Sequence, residues 1–571
     1  MADRRGASPG EGPAVAPDPD AAAAGNGGAG AVAAGARSGR LASVLVGAGI
    51  LLSRIAGLVR ERVLATYFGT SLQADVFSAG LRMPNVLQNL LGEGTLSASF
   101  IPVYSELLGQ GRTREAGRVA GAMFALLVGV AGAIALIGIV LAPLLVTLFT
   151  PGFEGQRREL TIAVVRIVFP MTGVLVLSAW ALGVLTSHRR FFVPYFAPVL
   201  WNAAIIATLI AFGSRVDLDA LLMAVAWGAL IGGLLQFGMQ LPWVLRLDRE
   251  IGVRGGFAEP GFRDAVRNAG PAILGRGVVQ LSTYVDMILA SLLAIGALAR
   301  LRYAQTLYVL PISLFGISVA AAELPELSRE RGGAITVLRD RTVGAVRRVA
   351  FYVVPSFVAF VLLGEVFVAG LYQAGEFGAA DARIVWLTLA AYSIGLIAST
   401  STRIYQSAFF ALRDTKTPAR IAGVRVLTSA AAGALLMVQF EPVTLGTLAI
   451  SAGVFADLSV AGLPLGPVGL ALGAAVGAWV EWALLRRRLD AELGRVGIGA
   501  GIAARTAAAS LIAAGGGLAA RAATSNVDPL PAALAVAAVF GVIYVPVARL
   551  LGLSEAQVFI DSVRRRVLRG R

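Results

Sequence analysis

Apolar stretches long enough to cross a bilayer, about 20 residues each, recur along nearly the whole chain. Fourteen are predicted, near 41–67, 74–107, 117–148, 158–185, 195–213, 219–245, 264–296, 301–326, 345–372, 383–411, 419–440, 467–486, 500–521 and 530–551. In hydrocarbon a spanning segment must satisfy its backbone polar groups internally, so each of these is expected to be a helix. The predicted fold class is therefore an all-α polytopic membrane protein. Composition agrees: 15% of the residues are charged and 57% hydrophobic, whereas a soluble domain carries about 25% charge. With no cysteine and one histidine, His188 in "TSHRRFF", disulfides, thiolate chemistry and histidine-built metal centres are excluded. No P-loop or other catalytic constellation is present, so an enzyme is not expected.

The net charge of +15 would suggest nucleic acid in a soluble protein. Here the arginines flank apolar runs, which reads as membrane topology instead. "GRTREAGR", "SHRR", "LRLDREIGVR", "RDRTVGAVRR", "ALRDTKTPAR", "RRRLDAELGR" and the tail "DSVRRRVLRGR" all follow even-numbered spans. The alternate loops, such as "GTSLQA", "YQAGEFGAAD" and "TSNVDPLP", carry few positive charges. By the positive-inside rule both termini and the basic loops are cytoplasmic. The apolar segment 443–466 holds Asp457 and lies between two basic loops that must share a side. It is read as an interfacial or re-entrant segment on the outer face.

Residues 1–40, rich in Ala, Gly and Pro, are expected to form a disordered cytoplasmic tail. A first lobe follows (41–248, spans 1–6), then a second (261–490, spans 7–12), spans 13–14 (498–552) and a basic tail (553–571). Spans 2 and 8 each carry a proline, a glycine-interrupted middle and a second proline before Ser, Glu and Leu. The two lobes then read as repeats facing one central path, with interrupted helices lining it.

Charged residues inside the spans are expensive and mark function or pairing. Arg54 and Arg60 lie six residues apart in span 1, about 9 Å along a helix and 120° around it, with Gly57 between them. Arg62 is near enough to the span end to snorkel. Asp75 and Arg82 share one face of span 2, Glu93 sits in its "GEG" interruption, Asp286 stands alone in span 7, and Glu481 is left unassigned. One reading is an ion network that only holds helices together. The other is an electropositive cavity for an anion, since arginines outnumber carboxylates and guanidinium binds phosphate through paired hydrogen bonds. Asp286 is either a cation or proton coupling site or a partner for an arginine.

Residues 53–108, "SRIAGLVRERVLATYFGTSLQADVFSAGLRMPNVLQNLLGEGTLSASFIPVYSELL", resemble the first two helices of the lipid II flippases of the MurJ/MviN family, in the MOP exporter superfamily. "TPGFEG" (150–155), "FFVPYFAPVLWN" (191–202), "GPAILG" (270–275), "LYQAGEFGAADA" (371–382) and "AYSIGLIASTSTRIYQSAFFALRDTKTP" (391–418) extend the resemblance across roughly 41–550. It implies two six-helix lobes around a central cavity, plus spans 13 and 14 beside a hydrophobic groove. The implied substrate is an undecaprenyl-pyrophosphate-linked disaccharide-pentapeptide moved to the outer leaflet of the bacterial inner membrane. Arg54, Arg60, Asp75 and Arg82 match the family's substrate-binding positions, and Asp286 matches the acid tied to a sodium gradient or membrane potential. No cofactor or nucleic acid is implied; other cell-wall synthesis proteins are the implied partners. The chain also departs from the family pattern. Gln88 and Asn89 replace an arginine of span 2, Gln305 and Thr306 stand for an Asp–Arg pair, and Val309 for a polar residue. Arg425 and Ser429 take the place of a buried Asn or Asp in span 11. Arg276 and Arg425 are candidates to compensate. These departures leave open a relative that exports another polyprenyl-linked glycan, a MATE-like exporter, or a non-transporting cell-wall scaffold.

Overall fold

A computed structural model describes residues 25–247, 251–252, 256–317, 335–445 and 448–569. Its helices follow the predicted spans in chain order. Span 1 is α1 (Gly25–Phe68). Span 2 is broken into α2 (Leu72–Arg82), α3 (Asn85–Leu91) and α4 (Glu93–Gly109). Span 3 is α5 (Thr113–Val140) with the short α6 (Ala142–Phe149), and α7 (Gly155–Ser187), α8 (Phe192–Phe212) and α9 (Leu218–Leu247) complete the first lobe. The second lobe opens with α10 (Pro260–Ser291). Next come α11 (Ala297–Pro311) with a π-helical turn at Ile312–Ile317, and α12 (Ile335–Leu362) with α13 (Gly364–Tyr372). Then α14 (Ala379–Ile394) and α15 (Leu396–Ala411) form one span bent by 41°, before α16 (Lys416–Phe440) and α17 (Gly466–Leu493). α18 (Ala500–Ala523) and α19 (Pro529–Leu550) pair beside the lobes, and α20 (Ser554–Arg569) follows.

Among the described residues, nine helices are apolar and long enough to cross a membrane, or ten with the bent pair as one span. The others are broken or loaded with charge: α1 carries Arg54, Arg60, Glu61 and Arg62, and α10 ends near Asp286. Both interruptions read from the sequence are present. Span 2 breaks at Pro84, which has no N–H to continue the ladder, and again at Gly92, where a Cβ would lie 2.2 Å from the Gln88 carbonyl oxygen. Span 8 turns π-helical after Pro311. The later part of the span 8 motif lies outside the described residues.

Two boundaries change. α1 begins at Gly25, so residues 25–40 are helical where a disordered tail is expected. Alanine, the strongest helix former, extends the span backwards through "AVAAGARSGRLA". Residues 1–24 lie outside the described residues. Segment 443–466 forms two small hairpins, with Val443–Leu445 paired to Leu448–Ile450 and Ser459–Val460 to Leu463–Pro464. The Gly453 N–H donates to the Val438 carbonyl (2.9 Å), and Phe455 stacks on Phe440 at 5.3 Å. The segment is not a spanning helix.

The helices pack through small residues, as membrane helices do. α16 and α17 approach so closely that a Cβ on Gly473 would lie 2.3 Å from Gly433.

Candidate functional site

Two features occupy the contact between the lobes: a seal at the end where α1 finishes, and a charged cavity beneath it. The seal is centred on Asp75, in the first turn of α2 and fully buried. Its carboxylate pairs with Arg157 of α7 and accepts the backbone N–H groups of Gly296 (2.7 Å) and Ala299 (2.8 Å). Those N–H groups form the start of α11, whose unpaired donors and dipole favour a negative charge. The chain enters α11 through Gly296 at φ +89°, and a Cβ there would meet the Thr70 carbonyl oxygen at 2.3 Å. Around this point Arg300 donates to Thr70 Oγ1 (3.3 Å), Thr70 donates to Asp381 (2.6 Å) and the Tyr303 hydroxyl donates to the Gly69 carbonyl (3.1 Å). Arg62 does not snorkel; it donates to the carbonyls of Gly370 (2.6 Å) and Leu371 (3.0 Å) at the end of α13. First-lobe and second-lobe groups are thus tied at this end by buried bonds.

Below the seal lies a cavity of about 510 Å³ whose lining includes Gly57, Arg60, Arg82, Gln88, Trp201 and Arg302. Its centre is a triad. Glu61, almost wholly buried, receives Arg60 at 2.6 Å and Arg302 at 2.7 Å on the same oxygen, Oε1. The Arg60 guanidinium lies 4.7 Å over the Trp201 ring, and Arg302 sits 5.4 Å from the Phe77 ring and donates to Ser78 (3.2 Å). Cation–π contacts of this kind hold a guanidinium in place without neutralising it. Arg82 donates to Gln305 Oε1 (2.9 Å), and Gln305 in turn donates to the Tyr392 hydroxyl (2.8 Å). Asp286 lies within electrostatic reach of both Arg82 and Arg425. Three arginines (60, 82 and 302) and no carboxylate are among the lining residues, with Glu61 and Asp286 set behind them, so the cavity wall carries surplus positive charge.

Of the predicted substrate contacts, the structure brings Arg60 and Arg82 into this cavity. Arg54 sits on another flank of α1 and donates to Ser313 Oγ (2.6 Å) in the π-helical turn of span 8, joining the lobes. Asp75 is set apart from the cavity, in the seal. Glu93 is exposed at the start of α4 and is not among the lining residues. The side chain of Arg276 lies outside the described residues. Arg425 belongs to a separate cluster in the second lobe, where it pairs with Glu481 Oε2 (2.7 Å) while Gln406 donates to Oε1 (3.2 Å). Glu481 thereby gains the partner that the sequence does not assign.

Arg302, Glu61, Arg157 and Trp201 are the residues that sequence reasoning missed. For Arg302 a signal was there, "RLRYAQTLY" (300–308) inside an apolar span. Gln305 and Thr306 mark lost charge, while Arg302 supplies a cation three residues before Gln305.

A helical bundle of two lobes, sealed at one end over a cationic chamber, is the architecture of a polytopic membrane protein. The family model described as "Lipid II flippase MurJ" matches residues 64–462, and the chain belongs to that family. The lipid II flippase MurJ of Burkholderia cenocepacia is 32% identical over 386 residues, covering 66% of this chain and 74% of that one. The probable lipid II flippase MurJ of Rhizobium tropici is 32% identical over 402 residues, covering 69% and 74%. Among solved structures, a lipid II flippase MurJ in an inward closed conformation superposes with a TM-score of 0.71 at 21% identity, covering 89% of this chain and 98% of that one. An inward-facing MATE family multidrug transporter of the MOP superfamily superposes with a TM-score of 0.60 at 18% identity, over 77% and 95%. At those identities the structural likeness speaks for the fold alone.

Proposed function

We propose that this chain moves lipid II, the polyprenyl-pyrophosphate-linked peptidoglycan precursor, from the inner to the outer leaflet of a bacterial cytoplasmic membrane by alternating access. The observation that carries the reading is the Arg60–Glu61–Arg302 triad. Two guanidiniums share one carboxylate oxygen, while Arg60 Nε and Glu61 Oε2 are buried without a partner among the described residues. A pyrophosphate offers the oxygen acceptors that two guanidinium forks can take in parallel. The basic loops and both termini face the cytoplasm by the positive-inside rule, which puts the Asp75 seal at the outer face. The headgroup enters from the cytoplasmic side, and rocking of the lobes breaks the seal to release it. Asp286 is the carboxylate through which a sodium gradient or the membrane potential acts on Arg82.

Gln88 presents a neutral amide in the cavity and Gln305 another to its Arg82, and this favours as a second reading another polyprenyl-linked glycan. One experiment decides between them. The chain is depleted in its host and lipid II is quantified in each leaflet. Lipid II trapped on the cytoplasmic side, restored by wild type and not by Arg60→Ala, is the expected result. Normal lipid II turnover after depletion overturns the reading and leaves the other glycan as substrate.

A further inference from the structure

The cluster around Glu481 has a feature that helix packing does not require. Glu481 is 1% exposed, and both its oxygens are engaged, Oε2 by Arg425 and Oε1 by Gln406. That arrangement satisfies one arginine. A second, Arg403 of α15, lies within electrostatic reach of Arg425, Glu481 and Tyr308, yet it is exposed and its guanidinium reaches no acceptor among the described residues. Arg425 has a second carboxylate, Asp286, within electrostatic reach, but shares it with Arg82, so three arginines (82, 403 and 425) are set against two carboxylates (286 and 481).

The position of Arg403 on its helix shows which way it faces. Ser399, Arg403 and Gln406 fall at i, i+4 and i+7 and so share one face of α15. Ser399 accepts a hydrogen bond from the Tyr308 hydroxyl of α11 (3.0 Å), and Gln406 reaches Glu481 of α17. This polar stripe points into the lobe, towards α11, α16 and α17. Its depth differs from that of the triad. Arg403 lies eight residues before the end of α15 and Arg425 nine after the start of α16, each about 12–14 Å in from the basic end. Arg60 lies eight residues from the opposite end of α1, about 12 Å below the seal. The two cationic groups sit in different lobes and are staggered along the membrane normal.

Like charges held near one another repel, and an anion that bridges them relieves the repulsion. We propose that Arg403 and Arg425 form a second oxyanion-binding site, nearer the cytoplasmic end than the triad, which engages a phosphate or carboxylate of the glycolipid headgroup. The proposal rests on the lipid II reading above. A headgroup carrying a pyrophosphate and peptide carboxylates is held at two points, one in each lobe. Such a ligand couples its own position to the relative position of the lobes.

The test is equilibrium binding of lipid II and of undecaprenyl pyrophosphate to the purified full chain, comparing wild type with Arg403→Gln, Arg403→Lys and Arg60→Gln. Arg403→Gln removes a cation and no internal bond among the described residues, so its thermal melting is expected to match wild type. It is expected to weaken lipid II binding roughly tenfold, as loss of one charge-assisted hydrogen bond does, and Arg403→Lys to recover most of that. Equal loss for undecaprenyl pyrophosphate identifies the pyrophosphate as the occupant; loss confined to lipid II identifies a peptide carboxylate. Unchanged binding of both ligands by Arg403→Gln, with Arg60→Gln impaired, overturns the second site and leaves the transport reading standing. A wild type that binds neither ligand overturns both.

Discussion

Replacing Asp75 with asparagine tests whether the buried carboxylate holds the outer end shut. The substitution keeps the shape and removes the charge. Arg157 belongs to the same lobe as Asp75, so losing that pair weakens the lobe in either state. The bonds from Gly296 and Ala299 cross between lobes and exist only while the end is sealed. An asparagine can still accept one of those N–H groups, but its amide nitrogen then faces the other as donor against donor. A hydrogen bond to a charged group is worth about 1.5–3 kcal/mol. Losing one and weakening the second shifts the sealed state by about 3 kcal/mol, more than a hundredfold in the ratio of sealed to open. The assay is direct because the chain has no cysteine. Paired cysteines at the exposed positions Val216 (first lobe) and Val454 (second lobe) carry spin labels, and their distance distribution is measured. Wild type should show one short distance; Asp75→Asn should show a dominant longer one. Identical distributions in the two proteins would refute the assignment of Asp75 as the latch.

Gly296→Ala should act on the same state by a different route: the new Cβ falls 2.3 Å from the Thr70 carbonyl oxygen and must adopt φ +89°, a left-handed strain of roughly 1–2 kcal/mol before any clash, read as a lower melting temperature. Arg302→Gln leaves Arg60 paired with Glu61 Oε1 while removing one cavity cation, so lipid II binding should fall tenfold or more. Glu481→Gln removes the carboxylate from Arg425, whose side chain is 34% exposed, and should destabilise the second lobe by about 1–2 kcal/mol, less than a fully buried pair costs. Replacing both residues together, with Arg425→Met, should return most of that stability in a melting series.

Much of this architecture could be read from residue type and spacing, because a bilayer leaves few solutions. Apolar runs must be helices; the helical order, the breaks at Pro84 and Gly92 and the non-spanning hairpin segment all follow from that. The site itself was read only in part, and α1 shows the reason. Arg60, Glu61 and Arg62 are successive residues, each turned about 100° from the last. Arg60 faces the cavity, Glu61 lies buried between two guanidiniums, and Arg62 caps carbonyls of α13. Sequence shows three charges in a row, while the partners that separate them come from α11 and α13, some 240 and 310 residues away. Asp75 carries the same lesson along the helix axis. Its spacing of seven from Arg82 does place both on one face of α2, but Asp75 stands about 10 Å nearer the outer end, where the start of α11 claims it. What sequence can count is surplus charge. Which charges are free to meet a substrate depends on which have already been neutralised by another helix. The triad keeps a net positive charge because Glu61 is asked to serve two arginines at once, and the same excess at Glu481 is what sets Arg403 apart from an ordinary packing residue.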